Sequence, residues 1–109
     1  MAFAQDLRDL FNTFHESVNM TPSEIRAWAR DPRSKRYSFE ATRRRLPALA
    51  DLAEKPIEEW TQGDAKRARR VISFNARMAG ALKRDGCKQG YAVSLRNWGR
   101  RPEGCEVDP

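Results

Sequence analysis

The most organised chemical feature of the sequence is a row of basic residues in its second half. On a helix, four of them fall within about 40° of one another around the axis: Lys66, Arg70, Arg77 and Arg84. A row of cations can follow the phosphates of a nucleic-acid backbone, and such contacts supply most of the affinity of non-specific binding. The spacing therefore predicts a phosphate-binding stripe, to which we add the neighbouring Arg69.

Two further groups of basic residues lie outside this row. The first is divided between a proline-containing loop and the helix predicted to follow it: Arg33, Lys35, Arg36, Arg43, Arg44 and Arg45. The second, Arg100 and Arg101, follows the predicted end of the last helix. Consecutive arginines point in different directions around a helix, so we expect at least one of residues 43–45 to have a structural role or to face solvent. Faces rich in Arg and poor in Asn predict contact with the backbone rather than base reading.

Charge is unevenly distributed along the chain. The net charge is +6, but residues 1–24 carry −3, residues 26–45 carry +6 and residues 66–84 carry +7. Pairing within the chain cannot neutralise the two basic segments, because the acidic segment has too few charges. Such segments are typical of proteins with a polyanionic partner, although a solvated, highly charged surface would have the same composition. We expect a nucleic-acid partner, with DNA favoured over RNA.

Residues suited to catalysis or metal binding are few. His15 is the only histidine, and it falls at the edge of the first helix's apolar stripe, where a structural role is expected before that of a general base. One histidine and two cysteines are too few for a structural zinc site. Glu58 and Glu59 are adjacent and point apart on a helix, so they form no evident catalytic pair. The sequence predicts no catalytic residues, no metal and no cofactor.

The cysteines and the hydropathy pattern bear on the cellular location. Cys87 and Cys105 lie 18 residues apart. One disulfide between them is conceivable, but two cysteines do not make a disulfide scaffold, and we expect reduced thiols. No apolar run approaches the ~18 residues of a membrane span, and the acidic, amphipathic start of the chain resembles no secretory or transit signal. These features predict a cytoplasmic protein with no membrane partner, associated with the nucleoid if it binds DNA.

Helical signals cover the first half of the chain. Apolar residues repeat at helical spacing through a first helix predicted over residues 3–17: Phe3, Leu7, Leu10, Phe11, Phe14 and Val18. A second helix begins after Thr21, with Pro22 at its first position and Glu24 completing a capping box. It ends near Asp31, before a basic loop.

Three more helices are predicted in the second half. Ser38 begins the third, in which Pro47 must cause a kink or a break because it lacks an amide hydrogen. The fourth is the longest, over residues 62–84, and Thr61 with Asp64 forms a second capping signal. Its inner face consists of residues at helical spacing: Ala65, Ala68, Ile72, Asn75, Ala79 and Leu82.

A short C-terminal helix completes the predicted fold. Tyr91, Leu95 and Trp98 form one stripe that docks it, Gly99 ends it in a left-handed conformation, and Pro102 blocks its continuation. We therefore predict an all-α, compact single domain of about five helices over residues 1–109, with residues 1–2 and 103–109 flexible. Leu, Ile, Val and Phe number only 19, so the core is thin, and a homodimer would bury further apolar surface.

Three segments carry a pattern shared with other proteins. They are FHESVNMTPSEIRAW, RRVISF and SLRNWGRRP, in this order. The pattern covers Phe14, His15, Val18, Asn19, Met20, Thr21, Glu24, Trp28, Arg69, Arg70, Val71, Ser94, Leu95, Asn97, Trp98, Gly99 and Pro102. It resembles a family of small prokaryotic helical proteins whose members commonly carry the label DNA-binding protein. That family has His-Asp where this chain has Arg100 and Arg101, and this departure favours polyanion binding further.

Two other functions stay open from the sequence. The first is a small interaction or inhibitor protein, for example a viral or mobile-element accessory, whose basic face binds an acidic protein surface. Such a complex would survive moderate salt, whereas phosphate contacts weaken steeply with salt. The second is an enzyme that uses His15, which would require a pocket around that side chain.

Overall fold

The computed structural model of the protein describes residues 2–109, including all side chains in that range except those of residues 2–5 and 41. This part of the chain forms five α-helices: α1 (Ala2–Ser17), α2 (Pro22–Arg30), α3 (Leu46–Glu54), α4 (Gln62–Asp85) and α5 (Gln89–Arg96). Two 3₁₀ turns, Pro32–Lys35 and Ile57–Glu59, and a π-helical turn, Ala41–Arg45, lie between them. The predicted all-α class is confirmed. The predicted packing of Phe3 lies outside the described side chains.

Both predicted capping boxes are present. At the start of α2 the Thr21 hydroxyl accepts from the Glu24 amide at 3.1 Å, and the Glu24 carboxylate accepts from the Thr21 amide at 3.0 Å. Thr61 and Asp64 make the same exchange at the start of α4, at 3.1 and 3.0 Å. Each box satisfies two amides that a helix start would otherwise leave unpaired, which is why these short polar signals fix where α2 and α4 begin.

The core lies between two pairs of helices. α1 packs along α4, and α2 packs along α3. α5 joins the pairs, because it packs on α4 and also contacts the 3₁₀ turn Pro32–Lys35 that follows α2. The largest fully buried apolar side chains come from four of these helices: Phe14, Ile25, Leu46, Val93 and Leu95. On α4 the predicted inner-face residues Ala65 and Ala68 are buried. Val71 is buried as well, although it was not predicted for that face.

A π-helical turn precedes Pro47. Proline has no amide hydrogen to donate, and its ring crowds the carbonyl group one turn earlier, so the backbone before α3 adopts the wider π-helical turn. The predicted interruption is confirmed, and it takes the form of a widened turn. Its consequence for the surface is that the three consecutive arginines at residues 43–45 all lie on this turn.

The C-terminal helix docks somewhat differently from the prediction. Ala92, Val93 and Leu95 are buried, whereas Tyr91 is half-buried. α5 ends at Arg96, so the half-buried Trp98 lies in the turn after the helix instead of on its stripe. Gly99 has the predicted left-handed conformation, with φ of 81°. A Cβ atom there would also lie 2.9 Å from side-chain atoms of both Val18 and Leu49, so the turn requires glycine on two grounds.

The segment after α5 folds back onto the domain. Cys105 is bonded to Cys87, with a Cα–Cα distance of 5.4 Å, and both Cys105 and Val107 are buried. The Gln89 side chain donates to the Glu106 carbonyl at 3.0 Å and accepts from the Asp108 amide at 2.7 Å. The structure therefore differs from two predictions. The thiols are paired instead of reduced, and the segment 103–109 is anchored by the buried Cys105 and Val107 instead of flexible. Disulfides persist mainly in oxidising compartments, so this bond does not favour a cytoplasmic location.

Candidate nucleic-acid interface

The basic side chains of α4 form an exposed surface, and Asp6 of α1 lines the same depression as Lys66 and Arg69. Lys66, Arg69, Arg70 and Arg77 are all exposed. The ion pairs described on α4 involve other cations, Arg67 with Asp64 at 3.7 Å and Arg84 with Asp85 at 3.1 Å. For Lys66, Arg69, Arg70 and Arg77, the structure describes no ion pair within residues 2–109. We name Lys66, Arg69, Arg70 and Arg77 the α4 stripe. Arg84 is set apart from it by its carboxylate partner.

Two aromatic rings link the α4 stripe to the π-helical turn. Phe74 and Trp98 are stacked, with ring centroids 4.3 Å apart and planes inclined by 18°. The guanidinium carbon of Arg45 lies 4.2 Å from the Trp98 ring centroid, and that of Arg77 lies 6.0 Å from the Phe74 centroid. Two arginines from distant parts of the sequence thus pack on one stacked pair of rings. Packing of this kind limits the rotamers of a guanidinium while its N–H edges stay available to an anion.

The charges of Arg45 and Arg70 act on each other across this junction. Burial lowers the pKa of the Arg45 guanidinium, Glu40 opposes that effect, and the positive charge of Arg70 adds to it. Glu40 also faces Arg44, whose guanidinium lies 3.8 Å away. The exposed Glu40 carboxylate therefore acts on two arginines of the turn, Arg44 and Arg45. Arg70 of α4 is a third cation, and its charge acts on Arg45. An anion bound between Arg45 and Arg70 would relieve this repulsion.

Arg100 and Arg101 are engaged inside the molecule. Arg100 donates through Nη1 to the carbonyl oxygens of Glu16 and Ser17, at 3.1 and 3.0 Å. These carbonyls lie in the last turn of α1, where a cation is favoured because helix ends leave carbonyls unpaired. Arg101 pairs with Glu24 at 2.8 Å. The guanidinium groups of these two residues thus hold the C-terminal turn against α1 and α2, and their contact with nucleic acid stays a prediction.

Arg33 and Arg36 are also used to hold the chain. Arg33 pairs with Asp31 at 2.7 Å, and this contact lowers the pKa of the Asp31 carboxyl group. Arg33 also donates to the Val107 carbonyl at 3.4 Å, and Arg36 donates to the Asp108 carbonyl at 3.1 Å. Both predicted site residues therefore hold the C-terminal segment against the loop after α2. Arg33 is also paired with a carboxylate, whereas Arg36 is exposed and keeps its charge at the surface.

The remaining predicted residues are open to solvent. Lys35, Arg43 and Arg44 are exposed, and Arg44 lies 3.8 Å from Glu40. Arg43 and Arg44 lie on the same π-helical turn as Arg45. The structure thus joins the turn to the α4 stripe as one basic surface. The loop arginines Arg33 and Arg36 and the C-terminal arginines Arg100 and Arg101 instead hold separate parts of the chain together.

Sequence reasoning missed the structural roles of two polar residues, Asn75 and Arg96. Asn75 is buried, and its Nδ2 donates to the Trp98 carbonyl at 3.1 Å and to the Ser17 hydroxyl at 3.1 Å. Arg96 packs on the Trp28 ring at 5.4 Å, and burial lowers the pKa of its guanidinium. Asn75 was predicted only as part of an inner face. A single Asn within an otherwise apolar helical face is the signal that could have identified it, because a buried amide needs partners.

His15 lies at the edge of the apolar stripe of α1, as predicted. Its ring is 4.5 Å from the Phe11 ring and 5.3 Å from the Phe14 ring, between centroids. Burial against these rings lowers the pKa of the imidazole.

In the described residues, no cluster of three or more His, Cys, Asp or Glu side chains is arranged to hold a metal ion. None of the helices in residues 2–109 combines the length and apolar character needed to cross a membrane.

Comparisons with protein-family models, with curated proteins and with solved structures find no match for this chain. The resemblance to small prokaryotic DNA-binding proteins therefore stays a prediction from the three sequence segments. The assignment of a function depends on the geometry of the basic surface.

Proposed function

We propose that this chain is a non-enzymatic nucleic-acid-binding protein that contacts mainly the phosphate backbone, with DNA favoured over RNA. The observation that supports it is the packing of Arg45 and Arg77 on the stacked Phe74 and Trp98 rings, together with the exposed Arg70, whose charge acts on Arg45. These three cations come from two elements, the π-helical turn and α4. Such an arrangement costs free energy in the absence of a counter-charge, and a phosphate would remove that cost.

The dimensions of the α4 stripe fit this role. Lys66 to Arg77 covers about 16 Å of helix at about 1.5 Å per residue. One strand of a duplex presents a phosphate about every 3.4 Å along the axis, so this length matches about five phosphates. Arginine suits such contacts because its planar fork donates two parallel hydrogen bonds to phosphate oxygens. We expect three or four direct phosphate contacts from this surface.

The proposal predicts a steep dependence of affinity on salt. With three or four neutralised phosphates, the logarithm of affinity for duplex DNA should fall against the logarithm of salt with a slope of about −3 to −4. Fluorescence anisotropy with a labelled duplex, titrated at several salt concentrations, measures this slope, and duplex RNA of the same sequence tests the preference for DNA. Weak binding at low salt, together with retention of an acidic protein at moderate salt, would instead support the interaction-protein alternative.

A homodimer remains part of the proposal. Two copies would double the row of cations and bury further apolar surface beyond the thin core of one chain. Sedimentation of the free protein and of its DNA complex measures the number of copies in each. If the protein binds DNA in cells, it would be found with the nucleoid.

A further inference from the structure

The segment before the π-helical turn exposes two aromatic rings. Phe39 is 69% exposed and Tyr37 is 56% exposed, and these are the large hydrophobic side chains that the described part of the chain leaves open to solvent. The other described aromatic residues, from Phe11 to Trp98, are exposed less or buried in the core. Exposed rings lose the free energy that burial would supply, so two such rings two residues apart call for a partner that covers them.

The surroundings of these rings are strongly basic. Within residues 35–45 there are five cations, Lys35, Arg36, Arg43, Arg44 and Arg45, against one acid, Glu40. Glu40 is offset by its contact with Arg44 at 3.8 Å. On a helical path, residue 43 follows residue 39 by about one turn, so Arg43 and Phe39 share one side. Phe39 therefore shares its side of the helical segment with a cation.

Tyr37 has a supported position. A Cβ atom built on Gly90 would lie 3.8 Å from its ring, an ordinary van der Waals distance, so the ring lies close to the first turn of α5. Phe39 lies at the start of the helical segment, and its carbonyl accepts a hydrogen bond from the Thr42 hydroxyl at 2.8 Å. Both rings are thus presented by structured backbone.

We infer that Tyr37 and Phe39 form a base-stacking surface for single-stranded nucleic acid, with the neighbouring cations holding the phosphates. This inference rests on the proposed function. Single-strand binding surfaces combine a basic track with aromatic rings, because every unpaired base offers a ring face for stacking. A duplex hides those faces between its base pairs. The rings would therefore add affinity for unpaired strands and none for duplex DNA, while the α4 stripe serves both.

The test compares Phe39→Leu with Phe39→Tyr on three probes. The first probe is an oligothymidine of about 12 nucleotides, the second is an abasic strand with the same number of phosphates, and the third is a duplex. Leu keeps an apolar side chain without a ring, and Tyr keeps the ring. We expect Phe39→Leu to weaken binding to oligothymidine about tenfold, within the range of one stacked base, and Phe39→Tyr to retain affinity. Affinities for the abasic strand and the duplex should be unchanged in both.

The outcomes separate this inference from the proposed function. If Phe39→Leu binds oligothymidine as tightly as the parent while duplex binding keeps its salt dependence, base stacking is wrong and phosphate binding stands. Equal weakening on the oligothymidine and abasic strands also overturns stacking. If none of the probes binds at low salt, both proposals fail. Should Phe39→Leu lower binding to anionic lipid vesicles but not to oligothymidine, the rings would belong to a membrane-surface contact instead. Circular dichroism of each variant verifies that the fold is retained.

Discussion

The indole nitrogen of Trp28 donates a hydrogen bond to Oδ1 of Asn97 at 2.7 Å, and both side chains are buried. The amide nitrogen of Asn97 donates in turn to the Ser34 carbonyl at 3.1 Å. One side chain thus joins α2, the 3₁₀ turn after it and the end of α5. This junction holds the turn that carries Trp98, and through Trp98 it fixes the position of Arg45.

Asn97→Ala should destabilise the fold strongly. It leaves the Trp28 N–H and the Ser34 carbonyl buried without partners, and each such loss costs about 1–3 kcal/mol. We expect a loss of about 2–4 kcal/mol in the free energy of unfolding, measured by urea denaturation. Asn12→Ala is the matched control, because Asn12 is exposed on α1 and its change should cost less than about 0.5 kcal/mol. Equal stability of the two variants would contradict the role of Asn97.

Gly99→Ala and Gly80→Ala should act in opposite directions. At Gly99 the added Cβ meets Val18 and Leu49 atoms at 2.9 Å, in a backbone conformation with φ of 81°. We expect a cost of at least about 2 kcal/mol from this overlap and strain. At Gly80, in α4, no atom lies within 4 Å of the added Cβ, so alanine should stabilise the helix by about 0.5–1 kcal/mol. Thermal unfolding of both variants measures the difference. A stabilised Gly99→Ala would contradict the described turn.

Removal of the disulfide should lower stability. The bond closes a loop with a sequence separation of 18 residues, for which the entropy of the unfolded chain predicts about 3 kcal/mol. Cys87→Ser removes the bond at its exposed end, and we expect its urea midpoint to match that of the parent protein in excess dithiol. A parent protein whose midpoint is the same with and without the dithiol would show that the two cysteines are not paired in solution.

Acid should weaken the cap at the start of α4. The hydrogen bond from Lys55, with a further one from the Thr61 amide, holds the pKa of the Asp64 carboxyl group below its ordinary value of 3.8. The folded state therefore binds a proton less readily than the unfolded state. The resulting stability is present above the unfolded pKa and is lost as the pH falls through the folded one. Asp64→Asn should melt at a lower temperature than the parent at pH 6, and the difference should shrink below pH 3.8. A constant difference across this range would contradict the assignment.

The sequence predicted those features that depend on neighbouring residues. The capping boxes at Thr21 and Thr61 and the interruption at Pro47 follow from contacts within one helical turn, so local pattern was sufficient. The role of Arg100 was not accessible, because its acceptors, the carbonyls of Glu16 and Ser17, lie more than 80 positions away.

The candidate site was predicted only in part for the same reason. The α4 stripe follows from helical spacing alone. The meeting of Arg45 with Trp98 and Phe74 depends on how α3, α4 and α5 pack, and no pattern of residue types along the chain encodes that contact. Phe39 was overlooked because an apolar residue at a helix start is ordinarily assigned to the core.

The salt dependence of DNA binding by Arg70→Gln/Arg77→Gln tests the central claim most directly. Both side chains are exposed and Gln is a fair helix former, so the fold should be retained. If these arginines neutralise phosphates, the double change should reduce the magnitude of the slope by roughly 2 and weaken binding to all duplex sequences alike. Arg8→Gln/Arg30→Gln removes the same charge from exposed positions on α1 and α2 and should leave the slope nearly unchanged. A folded Arg70→Gln/Arg77→Gln protein with the parent's slope would contradict the claim that the α4 stripe binds the phosphate backbone.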